Sequence, residues 1–221
     1  MSDALTFYTH PMSRGRVSRW MLEETGLPYE EVIVDYGTRM KAPGYLAINP
    51  MGKVPALRHG DTVVTENAAI CCYLAELVPG KRLAPPAGSP ERAHYYRWLF
   101  FLAGPLEALF TAKMTGVLAP STTAGYGNEV DALATLEQAV SGKRYLAGDH
   151  FTTVDLYATA LISYYLRTDV LDRRPAFAAF AAQHLDRPAA VAANARDDAL
   201  FPSMPSRPVD RAATVMAAGR A

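Results

Sequence analysis

The sequence predicts an α/β domain followed by an all-helical domain. Strand and helix patterns alternate through residues 1–78, proline and glycine crowd residues 79–90, and only helical patterns follow through residues 91–201. Strands that alternate with helices favour a sheet with helices packed on its faces. The remaining residues, 202–221, have no clear period, and we expect them to form a C-terminal tail.

The chain opens with a short strand and a helix. Residues 4–8 are of β type, and we expect a helix to begin near Ser13, because apolar side chains then recur at helical spacing. Gly26 is placed to end that helix. A second strand is predicted over residues 29–34, and Pro43 is suited to the first turn of a short helix.

A hairpin and a helix complete the first domain. Residues 54–64 alternate in the manner of two strands joined by a turn at Gly60. We expect Thr65 to cap the helix that follows. Few regular elements tolerate the density of proline and glycine in residues 79–90, so this stretch is interpreted as an interdomain linker.

A long helix is predicted at the start of the second domain. Ser89 is a suitable N-cap, and Pro90 suits the first helical position. Gly104-Pro105 should kink this helix. It is apolar around most of its girth, so we expect it to be buried on several sides or to line a pocket. Further along, the Thr-x-x-Asp signature of residues 152–155 predicts another helix start.

The composition of the chain argues against several classes of function. Lys plus Arg and Asp plus Glu each total 22, so no basic excess favours nucleic acid or an anionic membrane. No apolar run is long enough to span a bilayer, and the N-terminus lacks the features of a signal peptide. Cys71 and Cys72 are adjacent, which excludes a disulfide staple and a zinc site. We therefore expect a cytoplasmic protein that binds no metal, nucleic acid or membrane.

Short motifs occur in a fixed order, in residues 7–14, 49–57, 65–70 and 148–155. Together, around a proline-rich linker, they resemble the glutathione S-transferase superfamily, specifically bacterial-type cytosolic members with Ser at the catalytic position. The resemblance covers residues 5–201. It implies a thioredoxin-like N-terminal domain, an all-α C-terminal domain and a homodimer.

The resemblance also implies that glutathione binds, as a substrate, at the edge between the domains. A cis peptide bond between Val54 and Pro55 would expose the Val54 backbone to the cysteinyl backbone of glutathione. Glu66 and Asn67 would bind the γ-glutamyl end, with Glu66 facing the ammonium group and the Asn67 amide as a donor. Unpaired N–H groups and the positive dipole at a helix N-terminus favour a carboxylate there.

Two further sets of residues are expected near glutathione. Lys41 and Lys53 are candidates for binding its glycyl carboxylate. A small hydrophobic electrophile would occupy a neighbouring apolar pocket, for which we expect Met12, Phe100, Phe101, Leu109 and Met114.

Ser13 is the candidate catalytic residue, although its residue type equally suits a helix cap. It stands five residues after Tyr8, where Ser-type and Cys-type members of the family carry the catalytic residue. A free thiol ionises near pH 8.5, and a hydrogen bond to a charged acceptor is worth roughly 1.5–3 kcal/mol. Ser13 would thus stabilise the glutathione thiolate without itself reacting. Tyr8 is a weaker candidate, because it lies inside a strand.

Two alternatives to a transferase remain open. The first is a glutathione-dependent disulfide or peroxide reductase, which Ser13 disfavours because it cannot form a mixed disulfide. The second is a non-enzymatic binding protein of the same fold. Such a protein is expected to lose the Val54-Pro55 and Glu66-Asn67 motifs, and this chain retains both.

Overall fold

A four-stranded sheet forms the N-terminal domain of the computed structural model, which describes residues 4–201. The strands are β1 (Leu5–Thr9), β2 (Tyr29–Ile33), β3 (Ala56–His59) and β4 (Thr62–Thr65), in the order β2-β1-β3-β4. β1 runs parallel to β2 and antiparallel to β3, and β3 runs antiparallel to β4. The tail expected at residues 202–221 lies outside the described residues.

Helices cover this sheet and bury its apolar side chains. They are α1 (Gly15–Thr25), α2 (Pro43–Leu46) and α3 (Asn67–Leu77), with a 3₁₀ turn over Arg39–Lys41 before α2. Phe7 and Leu57 of the sheet lie in one core with Met21 of α1 and with Ile70 and Leu74 of α3, and all of these side chains are fully buried. The predicted α/β domain is confirmed.

The second domain is helical, as predicted. It contains α4 (Pro90–Phe101), α5 (Glu107–Thr115), α6 (Glu129–Val140), α7 (Thr153–Arg167), α8 (Pro175–Ala182) and α9 (Pro188–Leu200). α7 is buried along most of its length and packs on both α1 and α8. Among residues 4–201, no helix combines the length and apolar character needed to cross a membrane.

The first helix begins later than the sequence predicts. α1 starts at Gly15 with Arg14 at the N-cap position, so Ser13 lies before the helix. The Ser13 side chain nevertheless accepts a hydrogen bond from the Gly15 N–H at 2.9 Å. That bond resembles a helix cap, and the observed start lies only two residues after Ser13.

The predicted cap of the third helix is wrong. Thr65 is the last residue of β4 and pairs with Ala56, so sheet pairing holds its backbone. Glu66 takes the N-cap position instead, with a φ of 68° and no side-chain cap. This φ lies in a region that non-glycine residues rarely adopt.

The long helix predicted after the linker is interrupted rather than simply kinked. Ser89 caps α4 as expected, accepting a hydrogen bond from the Arg92 N–H at 3.2 Å. A π-helical segment over Leu102–Leu106 contains Pro105 and separates α4 from α5. Proline lacks the N–H that an α-helical hydrogen bond requires, which accounts for the local change. The predicted linker also contains one 3₁₀ turn, Pro79–Lys81.

Charged side chains of α1 reach across to the helical domain. Arg19 is fully buried, with ion pairs to Asp197 of α9 at 2.9 Å and to Glu31 of β2. Burial raises the pKa of Asp197 to about 6, and Arg19 opposes this rise. Glu24 accepts two hydrogen bonds from Arg187, at 2.7 and 2.8 Å. α1 is thus tied electrostatically to α9.

Candidate functional site

The sequence motifs meet at one edge of the sheet. The strand register pairs Tyr8 with Ala56 and Ala56 with Thr65. The segment that follows β1, the residues that precede β3 and the start of α3 after β4 therefore emerge side by side. This edge brings the Ser13 turn and Val54 close to the N-terminus of α3.

Ser13 lies half-buried in the tight turn between β1 and α1. Its Oγ donates to the His10 carbonyl at 2.7 Å and accepts from the Gly15 N–H at 2.9 Å. Gly15 permits a close approach to β1, since a Cβ there would lie 2.1 Å from Thr9 Oγ1. Because the Ser13 hydroxyl already donates to the His10 carbonyl, it must turn away from His10 before it can donate to a ligand.

The Val54–Pro55 peptide bond is cis. Within residues 4–201, the Val54 N–H and C=O have no hydrogen-bond partner. The carbonyl of the preceding Lys53 accepts hydrogen bonds from Tyr45 Oη at 2.6 Å and from Asn49 Nδ2 at 2.8 Å. These bonds fix the loop, and the Val54 backbone stays available to an extended ligand.

The N-terminus of α3 is open. In the described part of the chain, the N–H groups of Asn67, Ala68 and Ala69 have no hydrogen-bond partner. Such groups, with the helix dipole, favour a carboxylate. The Asn67 amide is turned inward, where its Oδ1 accepts from the buried Ser18 hydroxyl and its Nδ2 is buried, so its expected donation to glutathione stays a prediction. A ligand would meet the backbone of Asn67 and the exposed side chain of Glu66.

The two candidate lysines are both exposed, and they flank the loop before Pro55. Lys41 donates from Nζ to the Met51 carbonyl at 2.8 Å, so the 3₁₀ turn and this loop are joined. Lys53 directly precedes Val54. Both ammonium groups could therefore approach a carboxylate at this end of an extended ligand.

A cavity of about 710 Å³ opens beside Ser13, between the start of α1 and the helices α7 and α9. Its walls combine apolar side chains with polar ones, among them three arginines and Asp198. Residues from both domains contribute, including Met12, Ser13, Trp20, Leu161, Tyr164 and Phe201. The cavity could hold an apolar molecule next to the Ser13 turn.

The structure gathers only one of the predicted pocket residues, Met12, around this cavity. Leu109 is fully buried in the core, so it cannot contact a bound molecule. Phe101 packs edge-on against Trp98, with ring centroids 5.8 Å apart. The side chains of Phe100 and Met114 are exposed outside the cavity. The apolar side chains of α4 thus divide between a face that packs into the core and a face that is exposed.

Sequence reasoning missed the groups that hold the residue after Ser13. Arg14 donates from Nε to Glu107 Oε1 at 2.9 Å and also bonds to the Tyr165 hydroxyl. Its guanidinium lies 4.2 Å from the centre of the Tyr164 ring. Burial opposes the charge, but Glu107 and Tyr165 together raise the pKa of Arg14 above its ordinary value. The arginine is visible in the sequence, but its partners on α5 and α7 become apparent only in the fold.

The thiols do not form part of this site. Cys71 is fully buried, and burial raises the pKa of its thiol. Cys72 Sγ contacts the Tyr95 hydroxyl at 3.2 Å, and burial raises its pKa as well. Across residues 4–201, no group of three or more His, Cys, Asp or Glu side chains is arranged to hold a metal ion.

Comparisons with known proteins agree on one family. Two family models match the chain, "Glutathione S-transferase, N-terminal domain" over residues 13–77 and "Glutathione S-transferase, C-terminal domain" over residues 124–188. Glutathione S-transferase GST-4.5 of Xanthomonas campestris is 33% identical over 162 residues, which cover 69% of this chain and 78% of that protein. Glutathione S-transferase APIC of Nicotiana tabacum is 31% identical over 204 residues, covering 84% and 95%.

Solved structures give the same result. The bacterial glutathione S-transferase BphK, in a ternary complex, matches with a TM-score of 0.73 at 30% identity, over 87% of this chain and 99% of that one. A sphingomonad glutathione S-transferase complexed with glutathione matches with a TM-score of 0.72 at 29% identity, over 87% and 98%.

Proposed function

The chain belongs to the glutathione S-transferase family, and on this basis we propose that it binds glutathione at the sheet edge and activates its thiol. The thiolate then attacks an electrophilic carbon of a small apolar substrate in the adjoining cavity. Glutathione is consumed as a substrate, and the reaction needs no metal.

One observation carries this proposal: unpaired backbone groups of the described chain lie along a single edge. The Val54 N–H and C=O can pair with the cysteinyl backbone of glutathione, as an added strand would. The open N-terminus of α3 suits the γ-glutamyl carboxylate, with Glu66 near the ammonium group. Lys41 and Lys53 suit the glycyl carboxylate at the other end.

Activation of the thiol is a hydrogen-bond exchange at Ser13. The hydroxyl exchanges its hydrogen bond to the His10 carbonyl for one to the thiolate. A hydrogen bond to a neutral acceptor contributes about 0.5–1.5 kcal/mol, and one to a charged acceptor contributes about 1.5–3 kcal/mol. The nearby start of α1 adds about 0.3–1 kcal/mol. The net gain of about 1–2 kcal/mol lowers the thiol pKa by roughly 1. The Gly15 N–H can keep its bond to Ser13 Oγ throughout.

The cavity beside Ser13 supports an apolar second substrate. Met12 and Trp20 supply one wall, and Leu161, Tyr164 and Phe201 supply the other. A volume of about 710 Å³ falls within the ordinary range for small-molecule sites, roughly 300–1,000 Å³. An electrophile held there would lie next to a thiolate bound at the sheet edge.

A reductase is the less favoured alternative, because Ser13 offers no thiol for a mixed disulfide. Neither cysteine substitutes for it, since Cys71 is buried and Cys72 contacts Tyr95. We further propose a homodimer, supported by the exposed aromatic side chains of Tyr96 and Phe100 on α4. The free thiols are consistent with a reducing compartment such as the cytoplasm.

The test is a pH titration of glutathione bound at saturation, followed by the ultraviolet absorbance of its thiolate. In Ser13→Ala we expect the pKa of the bound thiol to rise by about 1. Conjugation of an activated aryl halide should slow about 10-fold at neutral pH and recover as the pH rises. The control is Ser141→Ala, which removes another hydroxyl that donates to a carbonyl and does not line the cavity. Superimposable titrations for wild type and Ser13→Ala would reduce Ser13 to a structural cap.

A further inference from the structure

His10 lies under the Ser13 turn and holds it by several contacts. The residue is 1% exposed, and its ring centroid lies 4.5 Å from that of Tyr36. Its Nδ1 accepts a hydrogen bond from the Met12 N–H at 3.2 Å. Its carbonyl accepts from both the N–H and the hydroxyl of Ser13, at 2.9 and 2.7 Å.

Tyr36 completes the arrangement from the other side. Its hydroxyl donates to the Met12 carbonyl at 3.3 Å, so both polar groups of the Met12 backbone are held by side chains. The His10 ring and the Tyr36 phenol therefore clamp the residue that directly precedes Ser13. A purely space-filling aromatic residue at position 10 would supply the ring contact but no acceptor.

The acceptor requires a particular protonation state. A ring nitrogen that accepts a hydrogen bond carries no proton, so His10 is neutral with its proton on Nε2. Burial lowers the pKa of His10, and the nearby Asp35 carboxylate opposes this effect. The buried position thus favours the neutral ring that the Met12 N–H needs.

We propose that His10 is a positioning residue for thiol activation, acting through the Nδ1 acceptor that holds Met12 and so fixes the direction of the Ser13 hydroxyl. This inference rests on the proposed role of Ser13. When the hydroxyl leaves the His10 carbonyl for a thiolate, the clamp on Met12 keeps the turn in place. Without that acceptor, the Met12 N–H has no side-chain partner, and of the two side-chain bonds to the Met12 backbone only the one from Tyr36 remains.

Two substitutions separate the acceptor from the ring. His10→Asn can place an amide oxygen where Nδ1 lies and removes the ring contact with Tyr36. His10→Phe keeps a ring against Tyr36 and removes the acceptor. His10→Leu is a second acceptor-free variant, should the Phe variant fail to fold by circular dichroism.

The measurements are the thiolate titration at saturating glutathione, together with kcat and the KM for glutathione. In His10→Phe we expect the bound thiol pKa to rise by about 1 and kcat at neutral pH to fall about 10-fold. The KM for glutathione should change less than about 3-fold, because the backbone contacts of the peptide remain. His10→Asn should stay within about 3-fold of wild type in kcat.

The double variant Ser13→Ala/His10→Phe tests whether His10 acts through Ser13. If it does, the double variant has the thiol pKa of Ser13→Ala alone, so the two effects are not additive. Wild-type behaviour of His10→Phe, equal damage in the Asn and Phe variants, or full additivity would each overturn the inference. A Ser13→Ala variant with an unchanged thiol pKa would instead refute the proposed role of Ser13 itself.

Discussion

The N-termini of α7 and α3 differ in what satisfies their backbone donors. At α7, the Asp155 carboxylate accepts from the N–H groups of Thr152 and Leu146, at 2.9 and 2.7 Å. The Thr153 N–H donates to the Leu83 carbonyl at 2.8 Å. At α3, among the described residues, the first N–H groups have no partner, and Glu66 at the N-cap adopts a φ of 68° without capping the helix.

The difference follows from where each helix starts. α7 begins in the protein interior, where an unpaired donor would carry the full penalty of lost hydration, so a buried carboxylate from the chain itself completes it. α3 begins at an exposed sheet edge, where water can satisfy the donors until a ligand replaces it. A closed N-terminus stabilises the fold, and an open one is available for binding.

The largest effect is expected at the closed N-terminus. Asp155→Ala leaves two buried N–H groups without acceptors and should lower the free energy of unfolding by about 3 kcal/mol at neutral pH. Asp131→Ala is the matched control, since Asp131 occupies the same position on α6 but is exposed. It should lose at most about 1 kcal/mol in chemical denaturation. Equal losses would remove the distinction between buried and exposed caps.

The same comparison has a pH dependence. Burial raises the pKa of Asp155 to about 6, although the N–H bonds from Leu146 and Thr152 oppose the rise. In the unfolded chain, the pKa of this carboxyl is about 3.9. Between pH values of about 4 and 6, Asp155 therefore binds more protons in the folded chain than in the unfolded chain. The Asp155 contribution to stability therefore falls as the pH rises from about 4 to about 6. The gap between wild type and Asp155→Ala should be wider at pH 5 than at pH 7.5, and a constant gap would contradict this.

An intermediate effect is expected at the open N-terminus. Glu66→Gln removes the proposed charged partner of the γ-glutamyl ammonium and should raise the Kd for glutathione about 10-fold by calorimetry. Because Glu66 is exposed, the difference should shrink in high salt. Asp61→Asn, in the exposed turn between β3 and β4, serves as the control and should bind normally. Normal binding by Glu66→Gln would mean that the γ-glutamyl end lies elsewhere.

The smallest effect on binding is expected one residue later. The Asn67 amide is engaged by Ser18, and only its backbone N–H faces a ligand, so Asn67→Ala should keep the Kd for glutathione within about 2-fold. Stability should fall by about 1 kcal/mol, because the buried Ser18 hydroxyl loses its acceptor. The double variant Ser18→Ala/Asn67→Ala should recover part of that loss. A large binding defect in Asn67→Ala would show that the amide turns outward when glutathione binds.

Local signals made much of the fold predictable. Ser89 caps α4 and the residues from Thr152 to Asp155 open α7 where expected, because side-chain caps involve only neighbours in sequence. Thr65 has the residue type of a cap, but pairing with Ala56 across the sheet holds it in β4. A residue's local capping preference can be read from the sequence, but its pairing with a residue far along the chain cannot.

The site was less predictable for the same reason. Val54 and Glu66 belong to sequence motifs, so their location at one edge of the sheet was expected. The cavity wall instead comes from Tyr164 and Phe201, which approach Ser13 only after α7 and α9 pack on α1. Phe100 has the apolar character expected of a pocket residue. It is exposed because a different face of α4 packs into the core.

The ion pairs of α1 with Asp197 in α9 and with Arg187 just before α9 bear on how two such chains could be combined. A junction in the linker between α3 and α4 would separate Arg19 from Asp197 and Glu24 from Arg187. A hybrid that takes its two domains from different parents inherits buried charges chosen for other partners. We therefore expect a hybrid to be more stable when α1 and α9 come from the same parent.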